Sequence, residues 1–260
     1  MAFKEDFIDV HGARIQLLSG GSGEPLIYLH SAGGEMAWLP FFDQLSRDFK
    51  LYVPAHPGFA GSEGLDRIDT IADLVFHYVD VMDVLGLEAA YFAGLSLGGW
   101  IAAEFAVHQT HRVRKLVLID AVGLRVEDAP PMAEIFAISP RQTRELVFLD
   151  PEADTAQAMI PDVPPPDRLE PGLKAREATA RVGWNPYLYD PRLRERLYRI
   201  TMPALIVWGA ADRLAPIEYG KAYRDGIKGA RLVTVEKSGH APPFEQPEQT
   251  ARVITDFFKK

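Results

Sequence analysis

The pentapeptide Gly94-Leu95-Ser96-Leu97-Gly98 joins two segments of different character. The run before it, residues 89–93, is short, apolar and partly aromatic, which is typical of a buried strand. The run after it, residues 99–107, is rich in alanine and suits a helix. A serine with glycines two places away on each side sits on a cramped strand-to-helix turn, which lifts its hydroxyl out of the sheet toward the helix N-terminus. The pattern therefore predicts a nucleophile at Ser96.

Apolar runs and helical patterns alternate along most of the chain. From Thr70 onward, for example, apolar residues recur on one helical face behind a capping-box pattern. The other short apolar runs lie at residues 26–29, 51–53, 113–119, 203–209 and 231–235. Alternation of this kind predicts an α/β fold in which a mostly parallel central sheet carries helices on both faces. We assign residues 1–124 and 201–260 to this core.

The alternation stops between residues 125 and 200. This stretch holds more than half of the 20 prolines of the chain and has no clear strand. Its aromatic content argues against a disordered linker. Helical fragments are predicted at residues 132–138, 141–148, 173–182 and 192–198. We expect residues 125–200 to form a helical cap inserted over the open end of the sheet.

Composition excludes several classes of function. The net charge of −8 disfavours nucleic acid and anionic membrane surfaces as partners. Cysteine is absent, which excludes disulfides, thiolate metal sites and a cysteine nucleophile. The acidic first residues do not resemble a secretory signal, and no apolar run approaches the ~18 residues of a membrane helix, so we expect a cytoplasmic protein without membrane partners. Metal and dinucleotide motifs are also absent, so neither a metal nor a cofactor is expected.

Two later loops complete a resemblance to a known family. Asp212 lies in the loop Gly209-Ala-Ala-Asp-Arg-Leu-Ala-Pro216, and His240 lies in Ser238-Gly-His-Ala-Pro-Pro-Phe-Glu-Gln-Pro247. Together with the serine turn, these loops resemble those of the α/β-hydrolase superfamily, whose catalytic groups follow the order Ser, acid, His. The resemblance covers nearly the whole chain and implies a catalytic triad of Ser96, Asp212 and His240. Asp120, at the end of the run 113–119, is an alternative position for the acid.

The same resemblance implies an oxyanion hole made of two backbone N–H groups. One belongs to Leu97, the residue after the nucleophile. The other belongs to Ala32, in the sequence His30-Ser31-Ala32, where relatives carry His-Gly before the donor. Ser31 replaces the usual glycine and is counted among the pocket residues. Its hydroxyl either adds a donor to the oxyanion hole or satisfies the hydrogen bonds of its own loop, and we favour the second role.

The expected activity is hydrolysis of a carboxylic ester through an acyl-serine intermediate. The expected partner is a small to medium, largely apolar substrate. Whether the protein forms a homodimer is not determined by the sequence. Candidates for lining its pocket are the cap aromatics Phe136, Phe148, Trp184 and Tyr187, which core packing explains equally well. Similar capped enzymes cleave carbon–carbon bonds of ring-fission products, but many of them carry Trp where Ala241 stands. Enol-lactone hydrolases and non-turnover small-molecule receptors are further alternatives.

Overall fold

The computed structural model describes residues 3–260, which build one eight-stranded sheet of order β1-β2-β4-β3-β5-β6-β7-β8. Strands β1, β2 and β4 pair antiparallel, and every pairing from β4 through β3 to β8 is parallel. The fold is therefore the expected α/β class. The strands are β1 (Phe3–Val10), β2 (Ala13–Gly20), β3 (Glu24–Leu29), β4 (Phe49–Pro54), β5 (Ala90–Leu95), β6 (Val113–Ile119), β7 (Ala204–Gly209) and β8 (Arg231–Val235).

Helices cover both faces of this sheet. Helices α2, α3 and α8 pack into the larger apolar cluster on one face, and α1 and α10 pack into a second cluster on the other. Among residues 3–260, no helix is both long and apolar enough to cross a membrane. The helices are α1 (Pro40–Leu45), α2 (Ile71–Val84), α3 (Leu97–His108), α4 (Pro140–Val147), α5 (Asp154–Met159), α6 (Pro166–Gly183), α7 (Leu193–Arg196), α8 (Ile217–Gly226), α9 (Pro242–Glu245) and α10 (Pro247–Phe258).

Helix α2 shows how local sequence sets an element. Thr70 precedes the helix in extended conformation, and its hydroxyl accepts the N–H of Asp73. The Asp73 carboxylate in turn accepts the N–H of Thr70 at 2.8 Å, which completes the predicted capping box. The buried side chains of α2 recur at helical spacing and face the sheet.

Four helices, α4 to α7, lie between β6 and β7, where a helical cap is predicted. The helix expected at residues 132–138 does not form. There the Glu134 carboxylate accepts the N–H groups of Phe136 and Ala137, and the Ala133 N–H donates to the carbonyl of Leu214, so these groups are not available for helical bonds. Helix α6 begins earlier than expected, at Pro166, because proline in the first turn costs no helical hydrogen bond.

The parallel strands bring distant loops to one edge. Strands β3, β5, β6, β7 and β8 run in the same direction, so the loops that follow them meet at the carboxyl edge of the sheet. These loops begin at His30, Ser96, Asp120 and Ala210 and include His240 after β8. The fold therefore gathers the predicted catalytic groups at one rim.

Candidate active site

Ser96 occupies a strained turn between β5 and α3. Its φ of 54° and ψ of −111° lie where L-residues rarely occur, and such a conformation costs on the order of 1–3 kcal/mol. The backbone is held there because the Ser96 N–H donates to the carbonyl of Ile119 at 2.9 Å and its carbonyl accepts the N–H of Trp100 at 3.0 Å. Ser96 is only 7% exposed. The turn thus presents one hydroxyl at the rim, as the sequence predicts.

The two flanking glycines are required by close backbone contacts. A Cβ added to Gly94 would collide with the carbonyl oxygen of Gly98, across the turn. A Cβ added to Gly98 would collide with the carbonyl oxygen of Leu29, at the end of β3. Glycine at these two positions therefore lets the start of α3 approach both its own strand and the neighbouring one.

His240 and Asp212 form a buried pair. The Nδ1 of His240 lies 2.7 Å from Oδ2 of Asp212, and both side chains are at most 5% exposed. Since the carboxylate accepts from Nδ1–H, the neutral ring has no proton on Nε2. That Nε2 is buried and has no hydrogen-bond partner within residues 3–260. The pair therefore holds an imidazole with a free basic nitrogen, the tautomer that a serine nucleophile needs.

Asp120 stands beside this pair. One carboxyl oxygen from each of Asp120 and Asp212 and a ring nitrogen of His240 all lie within 4.8 Å of one another. Oδ1 of Asp120 accepts the N–H of Gly209 at 2.8 Å. Burial and the charge of Asp212 raise the pKa of Asp120 well above its usual range. His240 bonds to Asp212, and no bond from its ring to Asp120 is formed among residues 3–260.

The same three side chains are the ones whose spacing would suit a metal ion. His240 Nδ1 is already engaged by Asp212, whose Oδ1 accepts the N–H groups of Leu214 at 2.8 Å and Ala215 at 2.9 Å. These bonds already engage His240 Nδ1 and both oxygens of Asp212, whereas Oδ2 of Asp120 and Nε2 of His240 have no partner among residues 3–260.

The loop after β3 is held by Glu35, a residue without a role in the sequence analysis. The Glu35 carboxylate accepts the N–H of Ser31 at 3.0 Å and also bonds to the Ser31 hydroxyl. The Ser31 Oγ then accepts the N–H of Gly33 at 3.0 Å, and the Ser31 carbonyl accepts the N–H of Gly34 at 3.1 Å. Within the turn 31–34, the N–H of Ala32 is the one without an acceptor among residues 3–260. This turn therefore leaves one N–H free, at the position predicted for the oxyanion donor.

Glu35 also faces the histidine. Burial raises the pKa of Glu35, and its hydrogen bonds with Ser31 and the charge of protonated His240 oppose that rise. Ser31 therefore satisfies its own loop through Glu35, the more plausible of its two predicted roles. The sequence signal for this pair is a serine in place of glycine with a glutamate four residues later.

Two buried histidines hold the loop that follows β3. The His56 N–H donates to Nε2 of His30 at 2.9 Å, so His30 carries its proton on Nδ1 and donates to the Ser31 carbonyl at 2.8 Å. The Nε2–H of His56 donates to the His30 carbonyl at 2.9 Å, and its Nδ1 accepts from the hydroxyl of Tyr78 on α2. Burial lowers the pKa of His30 to about 4 and that of His56 well below its usual value. Both rings therefore stay neutral at physiological pH and act as structural supports.

The histidine loop is fixed to the segment between β6 and β7. The His240 N–H donates to the carbonyl of Val147 at 2.7 Å. Glu245 accepts the N–H of Gly239 at 2.7 Å with one carboxyl oxygen and the N–H of Leu149 at 2.7 Å with the other. Glu245 thus links the loop that carries His240 to the residues that follow α4.

The predicted pocket aromatics fall into two groups. Phe148 is buried in a small cluster with Ala156 and Ala241, immediately beside His240. Phe136 packs edge-to-face against both Trp184 and Tyr187, and Trp184 is 59% exposed. The Tyr187 hydroxyl donates to the carbonyl of Ala133 at 2.8 Å. Phe148 therefore lies next to the His240 loop, whereas Phe136, Trp184 and Tyr187 contact one another, and Phe136 and Tyr187 also pack against the main core. The role of these four residues in lining a pocket stays a prediction.

A family model for the alpha/beta hydrolase family matches residues 9–253. The chain belongs to the alpha/beta hydrolase family. The family member YisY, an AB hydrolase superfamily protein from Bacillus subtilis (strain 168), is 30% identical over 91% of this chain and 92% of its own length. A 2-hydroxy-6-oxo-6-phenylhexa-2,4-dienoate hydrolase from Comamonas testosteroni is 25% identical over 97% of this chain and 93% of its own length.

Solved structures of family members share the fold. A 2-hydroxy-6-oxo-6-phenylhexa-2,4-dienoate hydrolase from Rhodococcus sp. strain RHA1 superposes with a TM-score of 0.80 at 22% identity, over 100% of this chain and 99% of that one. A carboxylesterase from Bacillus subtilis superposes with a TM-score of 0.75 at 22% identity, over 99% of this chain and 92% of that one. Another relative is the dihydrolipoyllysine-residue acetyltransferase component of the acetoin cleaving system of Cupriavidus necator, which is 28% identical over 92% of this chain. The match spans only 65% of the length of that relative.

Proposed function

We propose that this member of the alpha/beta hydrolase family hydrolyses carboxylic esters of small to medium apolar molecules through an acyl intermediate on Ser96. A serine hydroxyl is a poor nucleophile at neutral pH, so it needs a base. His240 supplies Nε2 for this purpose, and Asp212 orients the ring and stabilises it once it is protonated. The observation that carries the proposal is the 2.7 Å bond between His240 Nδ1 and Asp212 Oδ2, with Nε2 buried and unpartnered among residues 3–260.

The reaction has two halves. His240 takes the proton of Ser96 as the hydroxyl attacks the ester carbonyl, and then gives that proton to the departing alcohol. Water replaces the alcohol, and His240 removes a proton from the water as it attacks the acyl-serine. The second tetrahedral species collapses, and Ser96 regains its proton from the imidazolium.

Each tetrahedral species carries a negative oxygen that needs fixed donors. Leu97 is the first residue of α3, and first-turn N–H groups have no acceptor within their own helix. The Ala32 N–H is the free donor of the opposing loop. We assign the oxyanion hole to these two groups, with Glu35 and Ser31 holding the Ala32 peptide in place.

Steady-state assays on short-chain aryl esters test the proposal. We expect multiple turnovers with wild-type protein and loss of activity in Ser96→Ala, because no other nucleophile replaces the hydroxyl. Near wild-type kcat in the folded Ser96→Ala variant would remove Ser96 from the mechanism. A stoichiometric burst without turnover in the wild type would indicate a receptor that retains the triad.

A second candidate is hydrolysis of a carbon–carbon bond in ring-fission products. The similarity over nearly the whole chain to hydrolases named for dienoate substrates favours it. Two features of this chain favour esters instead. Ala241 follows the base where many carbon–carbon hydrolases carry Trp, and the acidic Glu35 lies close enough to His240 to act on its charge, where it would repel the carboxylate of a dienoate.

A panel of aryl esters, enol lactones and vinylogous diketones separates these candidates. We expect the highest kcat/KM for uncharged esters, and a penalty for esters that carry a carboxylate. A kcat/KM for a dienoate above that for every ester would establish the second candidate. A preference for enol lactones would keep the same triad and change the substrate class.

A further inference from the structure

The carboxyl group of Asp120 takes no part in the reaction proposed above, although it lies beside the acid–base pair. Asp120 directly follows β6, is 0% exposed and has a φ of 43°, a left-handed conformation that costs an aspartate some strain. Its Oδ1 accepts the N–H of Gly209. Its Oδ2 is buried, and no amide, hydroxyl or cationic donor from residues 3–260 reaches it.

The carboxylate of Asp212 has one site left for a donor. An ionised carboxylate offers about four lone-pair sites. Oδ1 of Asp212 accepts the N–H groups of Leu214 and Ala215, and Oδ2 accepts from His240. Three of the sites are therefore filled. One carboxyl oxygen of Asp120 lies within 4.8 Å of one of Asp212, so the Asp120 carboxyl is the polar group beside the carboxylate that still has a site to fill.

The charges around Asp120 oppose its ionisation. The acidic groups that face Asp120 are Asp212 and Glu245, and the charge of Asp120 also acts on the Tyr28 hydroxyl. In the group formed by Asp120, Asp212 and His240, His240 is the one basic residue. Two ionised carboxylates held this close, with the imidazole already bonded to one of them, would repel each other in a buried site. Burial and Asp212 accordingly raise the pKa of Asp120 well above its usual range.

We propose that Asp120 is a protonated carboxylic acid that donates a hydrogen bond to Asp212 and thereby positions the triad acid against His240. In this arrangement Oδ1 of Asp120 accepts from Gly209, and its protonated Oδ2 donates to Asp212. All groups are then satisfied, and the pair carries one negative charge in place of two. The catalytic consequence rests on the proposed function, whereas the protonation state does not.

Isosteric substitution separates a neutral acid from a charged one. In Asp120→Asn the side-chain carbonyl still accepts from Gly209 and the amide donates to Asp212. In Asp120→Ala that donor is lost. We expect Asp120→Ala to lower kcat about 10- to 100-fold with KM little changed, because a hydrogen bond to a charged group is lost. We expect Asp120→Asn to restore kcat to within about threefold of wild type.

Infrared spectroscopy tests the protonation state without an activity assay. Protein labelled with ¹³C at the aspartate carboxyl groups separates Asp120 from the buried glutamates. At pH 8 we expect a protonated-carboxyl band that shifts with the label and disappears in Asp120→Asn. Asp128→Asn, at an exposed aspartate a few residues along the same segment, is the matched control and leaves both the band and kcat unchanged.

Each outcome has a distinct meaning. Absence of the band, or a folded Asp120→Asn as impaired as Asp120→Ala, overturns the proposal. A stoichiometric divalent cation that is present in wild type and lost in Asp120→Asn overturns it as well, because a metal would then hold the two carboxylates. If Ser96→Ala keeps its activity while the band is present, the proposed function fails and the proton on Asp120 stands.

Discussion

Glu104 provides a sharp test of how buried charge affects stability. It lies on α3, and its side chain is 1% exposed. Its Oε1 accepts the indole N–H of Trp100 at 3.2 Å, and its Oε2 lies 3.8 Å from Nδ1 of His108. Burial, followed by the charge of Asp190, raises the pKa of Glu104 from 4.5 to about 7. The folded protein therefore holds a proton here at a pH where the unfolded chain has released it.

The sign and size of the effect follow from linkage. Because the folded-state pKa is raised, stability from this group is complete below the unfolded pKa of 4.5 and is lost as the pH rises through about 7. A shift of about 2.5 pH units at about 1.4 kcal/mol per unit gives a loss of about 3 kcal/mol above pH 8. Glu104→Gln keeps an acceptor for the Trp100 indole N–H and cannot ionise, so it should avoid most of this loss.

We expect Glu104→Gln to unfold at higher urea concentration than wild type at pH 8.5, with a gain of about 2 kcal/mol and an unchanged m-value. At pH 4 the two proteins should agree to within about 0.5 kcal/mol, because the wild-type carboxyl is then mostly protonated in the unfolded chain as well as in the folded protein. Glu88→Gln, at an exposed position before β5, is the matched control and should change neither value. A loss of stability in Glu104→Gln at pH 8.5, or the same difference at both pH values, would refute this reasoning.

Three further substitutions test the site. Asp212→Asn should lower kcat by about 10²–10⁴, because the imidazole loses its orienting carboxylate; a loss below tenfold would show that Asp212 is not the acid. Glu35→Ala should lower kcat about 10- to 100-fold at unchanged KM, because the Ala32 donor loses its support, and a rise in KM alone would point to ground-state binding instead. Tyr78→Phe should cost about 1–3 kcal/mol of unfolding free energy, because His56 is left without a donor; equal urea midpoints would contradict the assigned tautomer.

The three residues of the proposed triad can be selected from the sequence because each stands beside a short local pattern. Ser96 lies between glycines whose absent side chains are a direct requirement of the turn. Asp212 and His240 follow apolar runs, and parallel strands deliver the loops after such runs to one edge. The order and direction of the strands are therefore enough to predict that these three loops meet at one edge, and no information on side-chain packing is needed.

The supporting residues were not accessible, because their roles depend on contacts between distant segments. Glu35 reads as an ordinary loop acid until its loop folds back on Ser31. Glu104 lies on a helix that is buried on nearly every face, so no periodicity separates a core side from a solvent side. The sequence also allows Asp120 as the acid, and the hydrogen bond from His240 to Asp212, which favours Asp212, joins two loops that local sequence does not connect.

The segment between β6 and β7 shows a similar limit. Its helix at residues 132–138 was predicted from apolar content, but Glu134 caps the local N–H groups and the Ala133 N–H bonds to a distant loop. A tertiary partner outweighs propensity in such a segment. The aromatic residues Phe136 and Tyr187 were identifiable as packing residues, whereas which of them faces a substrate depends on contacts that local sequence does not encode.

The most direct test of covalent catalysis is to quench the reaction with an aryl ester and to determine the mass of the peptide that contains Ser96. The proposed mechanism predicts an acyl adduct on Ser96 that forms within the first turnover, decays as substrate is consumed and is absent from Ser96→Ala. Sustained turnover without an adduct, together with full activity in Ser96→Ala, would contradict it.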